Sequence, residues 1–162
     1  MPKRAYLTAL GRASWAMVNT YYAVLRERGY LPDKVYIFTE ETYKKKLEKA
    51  NAAIKILSEE FGISPEIESR VVNDWDFLEA GREISDLVRN LKVDGFQVAI
   101  DITPGRKAIV VAALIIGIKV KIDYVFYLAI KSTEDAAKPY MMIPMQLQQI
   151  REFMEASRGV AD

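Results

Sequence analysis

The stretch FQVAIDITPGRKAIVVAALIIG, residues 96–117, passes from a short apolar run through a Pro-Gly turn into a long apolar segment. The first part predicts a strand buried on both faces, and the last part, too long for an ordinary strand, predicts a helix. Between them DITPGRK, residues 101–107, gathers a carboxylate, a hydroxyl and two cations. A turn that leaves a strand and opens a helix presents unpaired N–H groups at the positive end of a helix dipole, so this composition points to an anion site.

The same strand-to-helix alternation runs outward in both directions. AYLTAL (5–10), KVYIFTE (34–40), EIESRVV (66–72) and FQVAIDI (96–102) read as four strands. A helix over about 14–28 has Trp15, Val18, Tyr22 and Leu25 on one face, and a second carries Leu47, Ala50, Ile54, Leu57 and Phe61 with its lysine-rich opposite face solvated. Asp76, with Glu79 three residues on, opens a third helix in the manner of a capping box. The apolar segment 108–118 is the fourth helix. It is about half the roughly 20 residues a membrane helix needs, and Lys107 and Lys119 bracket it, so it is expected inside the fold or in a subunit interface.

YVFYLAI (124–130) and YMMIP (140–144) read as the last two strands. The connection 131–139 is too short for a parallel crossover and predicts an antiparallel pair, with a C-terminal helix over about 146–158. Four β-α units and a hairpin define the expected fold class: α/β, a Rossmann-like doubly wound six-stranded sheet, mostly parallel, with a C-terminal antiparallel β-hairpin. The 162 residues are expected to form a single domain.

Composition narrows the chemistry. Lys+Arg 23 against Asp+Glu 22 leaves no overall charge to attract duplex DNA or an anionic membrane, so any basic site is local. There is no cysteine and no histidine, which removes thiolate metal sites, cysteine nucleophiles and histidine-based catalytic triads. No signal peptide is recognisable at the start, and a cytoplasmic protein is expected.

In the order 3-2-1-4 the first and fourth strands are neighbours where the winding reverses, and ligands bind outside their carboxyl ends. Two loops converge there, Gly11-Arg12-Ala13-Ser14 and Thr103-Pro104-Gly105-Arg106-Lys107. Both bear glycine for close approach and cations for charge, which together suggest a phosphate-containing ligand. The plain alternative is that Ser14 and Thr103 cap helices, Asp101 braces the turn and the cations face water. The first turn, LGRASW, lacks GxGxxG, and no acidic residue closes the second strand for a dinucleotide ribose unless Glu40 or Glu41 serves, so NAD is not expected; a P-loop is absent too. Asp74 and Trp75, after the third strand, either cap and pack locally or contact a base at the rim.

The segment VAIDITPGRKAIVVAALIIG resembles the second motif of the CARF family, the CRISPR-associated Rossmann fold, with its Asp-x-Thr turn, Gly-rich residues and Lys. ALGRASWAMVNTYYAVL resembles the family's first motif, and Pro104-Gly105-Arg106 departs from the Gly-Gly-Thr triplet common there. The resemblance implies a homodimer that binds cyclic oligoadenylate, most often cyclic tetra-adenylate, across its twofold axis. It further implies a stand-alone member and a ring nuclease that cuts the messenger without a metal or cofactor, by attack of a ribose 2′-OH on its own phosphodiester. In that reading Ser14 orients the scissile region, Lys107 stabilises developing charge, Arg12 and Arg106 hold phosphates, and Thr103 and Gly105 shape the pocket, with Gly11, Ala13, Asp101 and Pro104 completing the binding loops. The alternatives are a non-catalytic sensor or sink for the same messenger acting through a partner, and an unrelated nucleotide-binding Rossmann-like protein.

Overall fold

The structure, a computed structural model, describes residues 1–158. In chain order the elements are β1 (Arg4–Leu10), α1 (Ser14–Arg28), β2 (Lys34–Glu40), α2 (Leu47–Glu60), β3 (Glu66–Val72), α3 (Phe77–Val93), β4 (Gln97–Asp101), α4 (Lys107–Val120), β5 (Tyr124–Ile130), β6 (Gln148–Glu152) and α5 (Phe153–Arg158). A 3₁₀ turn over Glu41–Lys46 leads into α2. The strands form one sheet in the order β3-β2-β1-β4-β5-β6. Every pair is parallel except β5 with β6. The α/β class, the mostly parallel six-stranded sheet and the antiparallel last pair are those expected from the sequence.

Alternate residues of each strand feed two cores, one on each face of the sheet. Tyr6, Leu10, Ile37, Ala99 and Phe126 pack on Met17, Tyr21 and Val24 of α1 and Ile54 of α2. Leu7, Phe38, Val98 and Ile100 pack on Ala80, Ile84, Val88 and Leu91 of α3 and Ile109 of α4. Each such fully buried aliphatic side chain contributes roughly 1.5–3 kcal/mol relative to exposure, so the two layers fix the sheet from both sides. Local signals agree: Asp76 accepts a 2.9 Å hydrogen bond from the Glu79 N–H at the start of α3, and Gly29 ends α1 in the left-handed region at φ 58.

The inward face of α1 is Met17, Tyr21 and Val24, one step round from the expected Trp15-Val18-Tyr22 line; Trp15 is half-exposed. Asn19 and Thr20 lie on the buried side, so the apolar periodicity alone did not set the rotation of the helix. The polar residues on the buried side are satisfied: Asn19 Nδ2 donates to the Lys138 carbonyl at 2.8 Å and its Oδ1 accepts from the Tyr140 N–H at 2.9 Å. The apolar α4 joins the core that it shares with α3 through Ile109 and Leu114. Val111 and Ile115, four residues apart, remain exposed. No helix among the described residues is long and apolar enough to cross a membrane.

The sixth strand is not YMMIP. Pro139 precedes that segment and Pro144 ends it, and neither can donate to a ladder. It folds instead as a 3₁₀ turn, Tyr140–Met142, tied down by Asn19 from one side and by Gln148 Nε2, which donates to the carbonyls of Tyr140 and Ile143, from the other. The strand is QQIRE, where Gln148 and Ile150 are buried and Gln149 and Arg151 exposed, the period of two a half-covered strand requires. The expected C-terminal helix is correspondingly shorter and begins at Phe153. At the opposite edge β3 carries alternating charges: Glu66 pairs with Lys34 at 3.2 Å and Glu68 with Arg70 at 2.7 Å. Hydrogen exchange followed by mass spectrometry should show slower exchange over 148–152 than over 140–144; the reverse order would restore the strand to YMMIP.

Candidate functional site

The winding of the sheet reverses between β1 and β4, whose register runs from Arg4 opposite Gln97 to Leu7 opposite Ile100. Beyond it the chain turns through residues 11–13 into α1 and through residues 102–106 into α4. The two turns touch through their backbones: a Cβ on Gly11 would lie 3.4 Å from the Gly105 nitrogen. Gly105 itself has φ 95, and a Cβ there would sit 3.1 Å from the Ala9 Cβ. Both steric space and backbone conformation therefore favour glycine at 105.

Asp101 holds the second turn in shape. Its side chain is buried; Oδ1 accepts from the Thr103 N–H at 2.9 Å, and Oδ2 accepts from the Thr8 hydroxyl at 2.9 Å. Thr103 then passes the constraint on, because its Oγ1 accepts the Leu128 N–H of β5 at 2.9 Å. Of the two plain roles considered from sequence, Asp101 does brace the turn, whereas Thr103 anchors a neighbouring strand and caps no helix. Asp101 lies beneath the site and not in its wall. Burial pushes its pKa up to about 7, against the lowering effect of the hydrogen bonds from Thr103 and Thr8.

Above the turn is a cleft of about 230 Å³ lined by Gly11, Arg12, Ala13, Ala16, Glu40, Tyr43, Thr103, Pro104, Gly105 and Arg106. Seven of the sequence-derived binding positions, Gly11, Arg12, Ala13, Thr103, Pro104, Gly105 and Arg106, thus meet in one place. Ser14 is the first residue of α1 and is exposed; the N-cap is Ala13, and no side chain caps the helix. Lys107 is the first residue of α4 and also exposed. Neither helix has an acidic residue in its first turn, so the partial positive charge at α1 and α4 is not neutralised locally.

The expected binding residues Asp74 and Trp75 follow β3 at the rim. Asp74 Oδ2 accepts from the Thr42 hydroxyl, and the Trp75 N–H donates to Asn73 Oδ1 at 2.9 Å. The Trp75 side chain is 84% exposed, so the indole is not the packed residue of the plain reading.

Three residues of the site escaped sequence reasoning. Lys46 was expected on a solvated face, but its Nζ donates to the Arg12 carbonyl at 2.6 Å and lies 5.3 Å from the Tyr43 ring centre. Tyr43 and Lys46 sit in the 3₁₀ turn, whose period differs from the helix that their sequence suggested. Glu40, which the sequence left as a bare possibility, is a buried wall of the cleft. Its Oε1 is 2.9 Å from Arg106 Nε, but the geometry of the contact is not that of a hydrogen bond. Burial raises the pKa of Glu40, Arg106 opposes the rise, and the charge of Asp74 adds to it.

The raised pKa of Asp101 sets a sign. Between the ordinary carboxylate range near 4 and about 7, the folded protein retains a proton that the unfolded chain has released, so stability falls as pH rises through that window and levels off above it. Asp101→Asn keeps the shape and an acceptor for Thr103 but cannot titrate. Thermal melts from about pH 4 to about pH 8 should show a decline for the native protein that the variant lacks; equal slopes would show that Asp101 does not carry it.

No protein-family model matches this chain, and no curated protein does. Solved structures do share its fold. Can2 from Sulfobacillus thermosulfidooxidans, in complex with cyclic tetra-adenylate, superposes with a TM-score of 0.58 and 14% identity over 76% of this chain and 31% of that one. A type III CRISPR defence DNA nuclease activated by cyclic oligoadenylate superposes with a TM-score of 0.60 and 16% identity over 81% of this chain and 19% of that one. The chain therefore spans less than a third of the length of either. At these identities the likeness is one of fold, the Rossmann-like arrangement of a mostly parallel sheet with its helices.

Proposed function

We propose that the chain binds cyclic oligoadenylate, cyclic tetra-adenylate above all, across the interface of a homodimer and cleaves it without a metal, ending a type III CRISPR signal. The observation that carries this reading is the convergence of two helix starts without acidic residues and of Arg12 and Arg106 on one cleft, with Ser14 and Lys107 as the first residues of those helices, at the switch point of a fold shared with proteins bound to or activated by such rings. Phosphodiesters suit that arrangement because backbone N–H groups and cations both favour the anion.

The reaction needs little acid-base equipment. A ribose O2′ loses its proton to water and bonds to the adjacent phosphorus; the P–O5′ bond breaks, and the leaving 5′-oxygen takes up a proton. The products are a 2′,3′-cyclic phosphate and a 5′-hydroxyl. Ser14, at the start of α1, orients the scissile ribose, and Lys107, at the start of α4, offsets charge on the pentacoordinate phosphorane. Arg12 and Arg106 hold flanking phosphates, while Trp75 offers an exposed face to a base. A ring of four equal units has twofold symmetry, which a second copy of the chain matches with an isologous interface. The exposed Val111 and Ile115 of α4, together with Leu78 of α3, supply apolar surface for that contact.

A messenger sink or sensor that binds without cutting is the second reading, favoured by the exposure of Ser14 and Lys107 outside the wall of the cleft. Incubation of the protein with cyclic tetra-adenylate in excess EDTA separates the two. Linear product ending in a 2′,3′-cyclic phosphate is expected; tight binding without product supports the sink, and no binding defeats both. Lys107→Ala should lower single-turnover cleavage at least about tenfold more than it weakens binding, and an equal loss would make Lys107 only an anchor. Light scattering at micromolar concentration should give a dimer, and a monomer would remove the shared site.

A further inference from the structure

Glu40 ends β2 at the floor of the cleft, where Thr39 Oγ1 donates to the Leu10 carbonyl at 2.9 Å and ties β2 to the end of β1. The Glu40 side chain is 5% exposed. Its Oε1 is ion-paired with Arg106 Nε at 2.9 Å, a contact outside hydrogen-bond alignment, and no other donor reaches that oxygen. A buried carboxylate has several acceptor directions and is costly to leave without donors. Asp74 adds a second negative charge nearby and makes the deficit worse. A side chain in that state, opening into a cleft that also holds Arg12 and Arg106, is matched by a ligand that brings a neutral donor beside an anion.

We infer that Glu40 is the ribose recogniser of the site, its carboxylate accepting the 2′-hydroxyl of the nucleotide whose phosphate Arg106 holds. The assignment rests on the proposed cyclic oligoadenylate reading and deepens it. The contact between Glu40 and Arg106 supplies the reason to choose the hydroxyl over the adenine amino group. Adjacent ribose carbons carry the 2′-hydroxyl and the 3′-phosphate, so groups 2.9 Å apart in the protein can serve both together. The 6-amino group lies across the base, on the far side of the nucleoside. Acids at the end of β2 bind ribose in dinucleotide folds for the same topological reason, since that strand end lies one sugar away from the first phosphate-binding turn. Ribose recognition here would let the site reject deoxy rings and DNA ends that share its phosphates.

The test compares binding of cyclic tetra-adenylate, its all-2′-deoxy counterpart and cyclic tetra-inosinate, by calorimetry on catalytically impaired Lys107→Ala protein with Glu40 intact, changed to Met, or changed to Gln. With Glu40 intact, the ribose ring should bind at least about tenfold more tightly than the deoxy ring, as for a lost hydrogen bond to a charged group. Glu40→Met should bring that ratio close to unity and Glu40→Gln to an intermediate value, while adenine remains preferred over hypoxanthine to the same degree. A clamp on Arg106 alone would weaken all rings together and leave the ratios fixed. Equal binding of ribose and deoxy rings with Glu40 intact overturns the assignment without recourse to any Glu40 variant, as does a Glu40→Met variant that keeps the full ribose preference or loses the adenine preference instead. Absence of binding by every ring, also in protein with Lys107 restored, overturns the functional reading itself and this assignment with it. Thermal melts establish that each variant is folded, and Glu40→Gln, of nearly equal volume, carries the comparison where Met does not fold.

Discussion

The candidate site depends on one buried carboxylate. Asp101 closes β4, receives the Thr8 hydroxyl from β1 and the Thr103 N–H from the turn, and so joins two parallel strands to the loop that follows them. Thr103 carries the tie to β5. The turn is therefore referenced to three adjacent strands and not to solvent, which leaves Gly105 where Gly11 can meet it backbone to backbone. Desolvation of Asp101 opposes its ionisation, and the hydrogen bonds offset part of that cost. What the arrangement secures is geometry: a loop that would otherwise fray is fixed at the start of a helix, where its N–H groups and cations act together.

Arg106 shows how a nearly neutral protein concentrates charge. The guanidinium faces Glu40 within the cleft, so the pair is locally balanced and no large basic field surrounds the protein. In the proposed complex a phosphate would compete with Glu40 for Arg106 and expose the carboxylate to a donor. Anion and hydroxyl would then be coupled, and a bare anion such as sulfate would gain only half of the exchange, which would discriminate among phosphates where charge alone cannot.

The fold was legible where physical signals coincided. Apolar runs gave the first five strands, the Pro-Gly turn gave the switch point, and the short connection after β5 gave an antiparallel last pair. Reading failed where two signals competed. YMMIP is apolar but bounded by prolines, while QQIRE is polar but alternates correctly against β5; hydrophobicity favoured the wrong segment, and periodicity held the right one. The rotation of α1 was ambiguous because Asn19 and Thr20 are buried with their hydrogen bonds made internally, Thr20 Oγ1 donating to the Ala16 carbonyl at 2.7 Å. At the site, glycines and cations in the two loops were visible from composition. Lys46 and Tyr43 were not, because a 3₁₀ turn places side chains with a period that a helical reading does not anticipate.

The edges of the sheet constrain how copies of the chain can meet. β3 presents Glu66, Glu68 and Arg70 along one border, and β6 ends the other with Gln149, Arg151 and Glu152. A strand arriving at either border would have to strip water from these groups before any ladder bond formed, so lateral extension of the sheet into a fibre is disfavoured. Among the large apolar residues left exposed, Leu78 of α3 and Val111 and Ile115 of α4 lie away from both borders. A helical surface offers no unpaired ladder to propagate, so contact through it would rest on side-chain packing and not on extension of the sheet.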